Sequence, residues 1–210
     1  MNLKHIYWVF PNAVSPVICD KIIDIFHSQK KGLGTTGLGR KAPKKSLTKK
    51  DKMMRDSYVT WSSQWWLYRY THPYIHEANE EADWKFQWSS SEACQLTEYR
   101  KGQYYHWHRD SWDDPYKSDD KIKAYRNKCR KLSSVLVLSD QGKDYTGGDL
   151  EFFHMQRFLK PKHWRTVGAP QMRKRGALIV FPSFVWHRVT PVHKGVRYSL
   201  TNWHIGDKFV

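Results

Sequence analysis

The sequence has few cysteines and no long apolar stretch, and both absences limit the class of protein that it encodes. Its three cysteines, Cys19, Cys94 and Cys129, are odd in number and far apart, which fits neither a disulfide framework nor a Cys-x-x-Cys metal site. No stretch is apolar over the length of a membrane span, and the apolar run at the start is too short for a signal peptide. We therefore expect a soluble cytoplasmic protein with no membrane partner.

Acidic residues are also scarce relative to basic ones. The 210 residues include 36 Lys and Arg against 20 Asp and Glu, a formal charge of +16. Such a charge attracts acidic partners, either nucleic acid or acidic peptides, and does not choose between them. No internal repeat is evident, and 40% hydrophobic residues at this length can fill one sizeable core. We expect a single domain over residues 1–210 and make no prediction of its oligomeric state.

Helix signals come early in the chain and strand signals come late. Ser15 and Pro16 suit the start of a helix, and a second helix is expected over about residues 64–79. Runs of β-branched and aromatic residues predict strands at residues 6–10, 57–61, 85–88, 94–100, 103–108, 132–138, 150–153, 177–181, 185–189 and 196–204. This order predicts an α+β fold, mainly β, with a jelly-roll core supported by N-terminal helices.

Two polar segments interrupt these elements. Residues 30–52 are rich in glycine, lysine and threonine, a composition that cannot bury much surface, and we predict a mobile basic loop there. Residues 111–131 are charged and predict a surface insertion next to His108 and Asp110, where it can contact a substrate.

Three residues have the chemistry and spacing of metal ligands. His108 and Asp110 alternate along a predicted strand, so both side chains leave the backbone on one side and can reach the same ion. His187 follows on a distant strand, which a double-layered β fold can bring beside them. Either histidine alone would be expected to be an ordinary, partly buried side chain. Together with the carboxylate they form the donor set of a non-heme Fe(II) oxygenase, which leaves open positions on the iron.

The order of motifs resembles that of the Fe(II)/2-oxoglutarate dioxygenases and, within them, the prolyl 4-hydroxylase-like group. The resemblance covers most of the chain and rests on Arg55-Asp56-Ser57, Tyr99-x-x-Gly102-Gln103-x-Tyr105-x-x-His108-x-Asp110, Gly147-Gly148-Asp149-Leu150, Gly176-Ala-Leu-Ile-Val-Phe181-Pro182 before His187, and Gly195-Val-Arg197-Tyr-Ser-Leu-Thr201-Asn-Trp203. It implies a double-stranded β-helix that uses Fe(II), 2-oxoglutarate and O2 to hydroxylate a substrate, releasing succinate and CO2. Ascorbate is implied as a supporting reductant.

The resemblance also implies where 2-oxoglutarate binds. Arg197 would hold the far carboxylate, since a planar guanidinium can donate two parallel hydrogen bonds. By the two-residue period of a strand, Arg197 shares one face with Ser199, Thr201 and Trp203. Thr201 stands where related hydroxylases use a threonine near the co-substrate, and Tyr99 where they place a tyrosine near its chelating end.

His106 and the tryptophans are not expected to bind the metal or 2-oxoglutarate. His106 lies two residues before His108 and should share its strand face, but only His108 has the family's spacing to Gly102 and Asp110. His106 is therefore expected to support the ligands or to contact the substrate. The tryptophans at positions 61, 65, 66, 88, 107, 112 and 186 are expected to pack in the core or against helices rather than to stack on bases.

The substrate is left open by the sequence. The leading hypothesis is hydroxylation of a protein or peptide at prolyl residues, because of the resemblance and because residues 30–52 lie where such enzymes have a mobile segment over bound peptide. Nucleic-acid base oxidation is the alternative; charge and aromatic content favour it, but no second arginine follows Arg197 at the spacing of the demethylase branch. Small-molecule hydroxylation is a further alternative. The complete ligand set argues against a non-enzymatic metal-binding domain.

Overall fold

The computed structural model of the chain describes residues 3–34, 53–111, 114–154 and 165–209. Its two long helices are α1 (Pro16–Ser28) and α2 (Trp65–Glu81). Among the described residues, neither helix combines the length and the apolarity that crossing a bilayer requires. The strands are β1 (Trp8–Phe10), β2 (Gly32–Leu33), β3 (Arg55–Asp56), β4 (Tyr58–Ser62), β5 (Ser90–Ser91), β6 (Cys94–Tyr99), β7 (Tyr104–His108), β8 (Cys129–Val137), β9 (Tyr145–Gly147), β10 (Leu150–His154), β11 (Arg165–Val167), β12 (Leu178–Pro182), β13 (His187–Val189), β14 (Val192–Gly195) and β15 (Arg197–Gly206).

The strands form two antiparallel layers and a small ribbon. The larger sheet has the order β1-β12-β8-β15-β6-β4-β2, with β5 added beside β15. The smaller sheet has the order β11-β10-β13-β7-β3, and β14 pairs with β9. Many neighbours within a sheet are far apart in sequence, as expected of a jelly roll. The predicted α+β, mainly β, double-layered fold is confirmed.

Strand β8 shows how the two cores are separated. Leu132 and Leu136 face the helices and are fully buried with Phe26 of α1. Val135 and Val137 point the opposite way, into the space between the sheets. The helices therefore cover the outer face of the larger sheet and leave its inner face to the functional site.

Both helices bury one stripe of side chains. In α1, which begins with Pro16 as predicted, Cys19, Ile22 and Phe26 are buried at helical spacing. In α2, the same spacing buries Leu67, Thr71, Ile75, Ala78 and Asn79. Because these stripes pack on the larger sheet, they hold rigid the strands that carry the site.

The strand predicted at residues 85–88 is absent. Asn79, near the end of α2, accepts backbone hydrogen bonds at its carbonyl from Trp84 and Lys85, both at 3.1 Å. Its side chain exchanges two further bonds with the backbone of Phe86, each at 3.0 Å. Lys85 has a positive φ of 52°, which a strand does not permit. The backbone groups of this segment are thus used at the helix end and not in a sheet.

The two polar segments also have different bounds from those expected. Residues 32 and 33 form β2, and the rest of the predicted basic loop, from residue 35, lies outside the described residues. The predicted insertion over residues 111–131 is too long, because β8 begins at Cys129 and residues 129–131 are buried. The preceding loop contains a short 3-10 helix, Lys123–Tyr125.

Candidate functional site

Strands β7 and β13 pair where the predicted metal ligands meet. His187 is the register partner of His108, and their ring centroids are 4.1 Å apart. Asp110 follows β7, with Oδ1 3.7 Å from His108 Nε2 and Oδ2 3.6 Å from His187 Nε2. The ligand atoms that the three residues offer all lie within 4.8 Å of one another. The group is compact enough to bind a single metal ion.

Both imidazoles are held in the tautomer that frees Nε2. His108 Nδ1 lies 2.7 Å from the carbonyl oxygen of His106, and His187 Nδ1 lies 2.9 Å from that of Val185. Because a carbonyl oxygen only accepts, each Nδ1–H is the donor and each Nε2 keeps its lone pair. Hydrogen bonds of this kind are the usual support of metal-binding histidines.

The charges of the cluster also suit a metal. Burial lowers the pKa of His108 well below its ordinary value, and the nearby His187 lowers it further. Burial by itself raises the pKa of Asp110, but attraction to His187, His108 and Arg130 outweighs burial and leaves that pKa lowered. At neutral pH His108 is therefore neutral and Asp110 is ionised, the states in which these groups bind metal.

Asp110 is fixed by backbone and by serine hydroxyls. Its N–H donates to the carbonyl of Ser183 at 2.8 Å, and Ser133 Oγ donates to Asp110 Oδ2, also at 2.8 Å. Ser133 Oγ lies 2.9 Å from Ser183 Oγ, and both serines are fully buried. Since the Ser133 proton is used on the carboxylate, Ser183 donates to Ser133. Nothing local in Leu-Ser-Ser-Val indicates which of the two adjacent serines has this role.

An irregularity in β7 determines the position of His106. His108 pairs with His187 and Tyr105 with Val189, so three steps along β7 oppose two along β13. The extra residue breaks the alternation of side chains. Tyr105 and His108 both line the cavity, whereas His106 is exposed. The expectation that His106 shares the face of His108 is wrong; its carbonyl, and not its ring, supports that ligand.

A cavity of about 210 Å³ extends from this cluster between the two sheets. The shared face of β15 lines it as predicted, with Arg197, Ser199, Thr201 and Trp203. Arg197 is only 2% exposed, donates from Nη1 to Ser199 Oγ at 3.1 Å and lies 5.4 Å from the ring centre of Tyr99. The structure thus brings the four residues expected around 2-oxoglutarate to one cavity.

Arg197 has the surroundings of an anion-binding side chain. Its Nε is buried without a hydrogen-bond partner, and it forms no ion pair with any described residue. A buried cation without a counter-ion is unfavourable, so a ligand that brings a carboxylate is favoured here. Gly148 keeps the adjacent space open, since a Cβ there would lie 3.0 Å from Arg197 Cδ. The donor set and this cation fit Fe(II) together with a chelating dicarboxylate.

Three further arginines, Arg55, Arg109 and Arg130, line the cavity. Arg130 is buried in a two-bond ion pair with Glu92, with both nitrogen–oxygen distances at 2.7 Å. Its guanidinium lies 3.9 Å from the ring centre of Trp203. Arg55, which belongs to one of the motifs above, is 4% exposed and also reaches the cavity. Gln95 and Thr97, which accept hydrogen bonds from Arg55, and Glu92, which neutralises Arg130, lie far from these arginines in sequence, so only the fold shows these contacts.

The tryptophans divide into two groups. Trp66 and Trp88 pack against the core as expected. Trp61, Trp65 and Trp186 are 47%, 70% and 47% exposed, so the expectation of packing is wrong for them. Trp61 lines the cavity beside Trp203, with ring centroids 5.9 Å apart. The tryptophan at position 112 lies outside the described residues.

Comparison with solved structures shows the same fold in several hydroxylases. A viral collagen prolyl hydroxylase from Paramecium Bursaria Chlorella virus-1, solved with 2OG, is 18% identical with a TM-score of 0.63, and 97% of each chain is covered. A Pseudomonas putida prolyl-4-hydroxylase is 19% identical with a TM-score of 0.60, covering 98% of this chain and 95% of the other. A Trichoplax adhaerens prolyl hydroxylase, solved with a hypoxia inducible factor peptide fragment, is 15% identical with a TM-score of 0.60, covering 96% and 84%.

Sequence comparison gives the family itself. No curated protein sequence matches the chain. Residues 94–205, more than half of the chain, match the family model described as the 2OG-Fe(II) oxygenase superfamily. The matched segment runs from β6 to β15 and contains the His-Asp-His cluster and Arg197. The chain therefore belongs to the 2OG-Fe(II) oxygenase superfamily and is a 2-oxoglutarate-dependent dioxygenase.

Proposed function

We propose that His108, Asp110 and His187 are the Fe(II) ligands of this enzyme. The observation that carries the assignment is the convergence of the three side chains within 4.8 Å at the end of the cavity. Two imidazoles and one carboxylate would hold the iron and leave some of its coordination positions open for the co-substrates. The backbone carbonyls and Ser133 hold the three side chains in place before metal binds.

Arg197 is proposed to bind the far carboxylate of 2-oxoglutarate. Ser199 orients the guanidinium, and Tyr99, whose ring lies 5.4 Å from it, is proposed to contact the chelating end of 2-oxoglutarate, as the resemblance implies. Thr201 lines the same wall and offers a hydroxyl to the co-substrate. When bound, iron, 2-oxoglutarate and O2 would supply the oxidant: one oxygen atom of O2 enters succinate as 2-oxoglutarate loses CO2, and the other enters the substrate, with ascorbate in support. The protein contributes orientation and a mostly buried cavity.

The substrate proposed is a prolyl residue in a protein or peptide, acted on by a single domain over residues 1–210. The fold is shared with three proteins named as prolyl hydroxylases, one of them solved with a peptide, and this supports the choice. Trp61 lines the cavity and is 47% exposed, so the cavity reaches the surface at this residue, which suits a chain entering from outside. The basic loop predicted over residues 30–52 is proposed to cover bound peptide.

Metal-dependent turnover tests the ligand assignment. Purified metal-free protein is supplied with Fe(II), ascorbate and labelled 2-oxoglutarate, and release of labelled CO2 is measured. We expect iron-dependent turnover that is lost in Asp110→Ala and kept in Asp119→Ala, which removes an exposed carboxylate from the loop before β8. Turnover retained in Asp110→Ala would contradict the assignment.

Substrate screening by mass spectrometry tests the proposed peptide. Proline-rich peptides and methylated oligonucleotides are incubated in parallel, and a gain of about 16 Da, one oxygen atom, is expected on the peptides. Demethylation of oligonucleotides without oxidation of any peptide would replace the proposal by the nucleic-acid alternative, which the charge of +16 favours.

A further inference from the structure

Arg55 places a second buried positive charge in the cavity. Its Nε donates to Ser57 Oγ at 2.8 Å, and its Nη2 donates to Gln95 Oε1 at 2.7 Å and to Thr97 Oγ1 at 3.5 Å. These acceptors are neutral, and no described residue forms an ion pair with Arg55 although it is only 4% exposed. No hydrogen bond joins Nη1 to any described residue. The guanidinium is therefore fixed in orientation with donors left over.

The position of Arg55 is close to the metal-ligand cluster. Its guanidinium carbon lies 4.6 Å from the ring centre of Tyr105. On its other side the Tyr105 ring stacks on His108, with centroids 3.4 Å apart and planes at 11°. A single aromatic ring thus separates the guanidinium from a proposed iron ligand.

The remaining charges of the cavity balance without Arg55. Asp110 is the only acidic side chain among the described residues that line the cavity. With cofactor and co-substrate bound, the charges of Fe(II), Asp110, the two carboxylates of 2-oxoglutarate and Arg197 sum to zero. Arg130 is neutralised by Glu92. Arg109 is exposed, where water and salt screen its charge. Among the described residues that line the cavity, Arg55 is therefore the buried charge left without a counter-ion.

The anion that Arg55 lacks is not the same 2-oxoglutarate. Arg55 bonds to Gln95, near the start of β6, whereas Arg197 lies over Tyr99 at the end of that strand. The Cα atoms of these two β6 residues are roughly 13 Å apart in an extended strand. A co-substrate anchored at Arg197 and chelated at the metal leaves Arg55 to a second ligand.

We propose that Arg55 binds an acidic side chain of the peptide substrate, an Asp or Glu within about three residues of the hydroxylated proline. This rests on the proposed peptide function. Only the ring of Tyr105 separates Arg55 from His108, and an extended peptide advances about 3.3 Å per residue, so the acidic residue is expected within about three residues of the proline. Nη1, which bonds to no described residue, donates to the carboxylate, and a charge-assisted bond of this kind is the strong class of hydrogen bond. The charge of +16 also draws acidic peptides to the protein.

Matched peptides test this inference. Proline peptides with Glu at each position from three before to three after the proline are compared with the same peptides carrying Gln, and kcat/KM is measured by mass spectrometry. For at least one position we expect a preference for Glu of about tenfold or more, which is about 1.4 kcal/mol. In Arg55→Gln the value for the Glu peptide falls towards that of the Gln peptide, and Arg55→Lys recovers part of the difference. Arg100→Gln, which removes an exposed arginine at the outer end of β6, keeps the preference.

The outcomes separate a wrong role for Arg55 from a wrong peptide function. Hydroxylation of Glu and Gln peptides at equal rates in the unmodified protein overturns the inference, whether or not Arg55→Gln folds, and leaves the peptide function standing. An equal loss on both peptides in Arg55→Gln, or a rise in the KM for 2-oxoglutarate as large as in Arg197→Ala, also overturns it. Hydroxylation of no peptide at all overturns both proposals.

Discussion

Removing the Ser133 hydroxyl is expected to weaken metal binding without changing any metal ligand. Ser133 is fully buried and donates to Asp110 Oδ2 at 2.8 Å, so Ser133→Ala leaves the carboxylate free to turn. A hydrogen bond to a charged group is worth about 1.5–3 kcal/mol. Loss of such outer support typically lowers metal affinity about 10- to 100-fold, or about 1.4–2.7 kcal/mol. The two ranges agree.

Cobalt binding measures this effect without depending on turnover. Metal-free protein is titrated with Co(II), and its visible absorption gives a Kd for each variant. The matched control is Ser134→Ala, because Ser134 is the adjacent buried residue and points to the opposite face, 3.4 Å from the carbonyl oxygen of Asn202. Equal Kd values for Ser133→Ala and the unmodified protein, or an equal loss in both variants, would refute the reasoning.

Three further perturbations follow from the buried charges. Arg197→Ala should raise the KM for 2-oxoglutarate by about 30-fold or more, because truncating one partner of a buried charge pair costs about 2 kcal/mol or more. The affinity for Co(II) should change far less. Equal losses of 2-oxoglutarate and Co(II) binding would mean that Arg197 is structural. Glu92→Gln removes the carboxylate of the buried Arg130 ion pair and should lower the free energy of unfolding, measured by urea denaturation, by about 3–5 kcal/mol. Glu151→Gln breaks a partly exposed ion pair and should lower it by less than about 1 kcal/mol. Similar values for the two variants would contradict this prediction. Burial lowers the pKa of His204 well below 6.5, so the unfolded chain binds a proton that the folded chain does not. In metal-free protein the free energy of unfolding should therefore decrease as the pH falls below about 6.5, and His204→Asn should make the decrease shallower; an unchanged slope would exclude His204 as its source.

The residues of β15 that share one face could be predicted because β15 has no bulge between residues 197 and 201. Arg197, Ser199 and Thr201 pair in unbroken register with β6, so the two-residue period holds. The same rule failed for His106, because the bulge in β7 adds a residue that only the pairing with β13 defines. The rule was also applied to His108 and Asp110, but Asp110 lies beyond the end of β7 and is held in place by the backbone of Ser183.

Residues that act through distant partners were beyond sequence reasoning. Ser133 and Ser134 are chemically identical, and which one meets Asp110 depends on the facing of β8 within the folded sheet. Arg130 is neutralised by Glu92, 38 residues away, while Arg55 finds only neutral acceptors. Sequence patterns give the period of a strand but not the cross-chain contacts that determine which charges are balanced.

At His108 and His187 the side chain supplies the metal-binding nitrogen, and a main-chain carbonyl fixes the tautomer of the ring. In both cases the acceptor belongs to the residue two positions earlier, His106 or Val185, so the proton of each ring is placed within a three-residue segment. A side-chain substitution at either acceptor position leaves its carbonyl in place. The side chains at positions 106 and 185 can therefore change while Nε2 of both histidines keeps the lone pair that binds iron. Only a change in backbone conformation would remove the two carbonyl contacts.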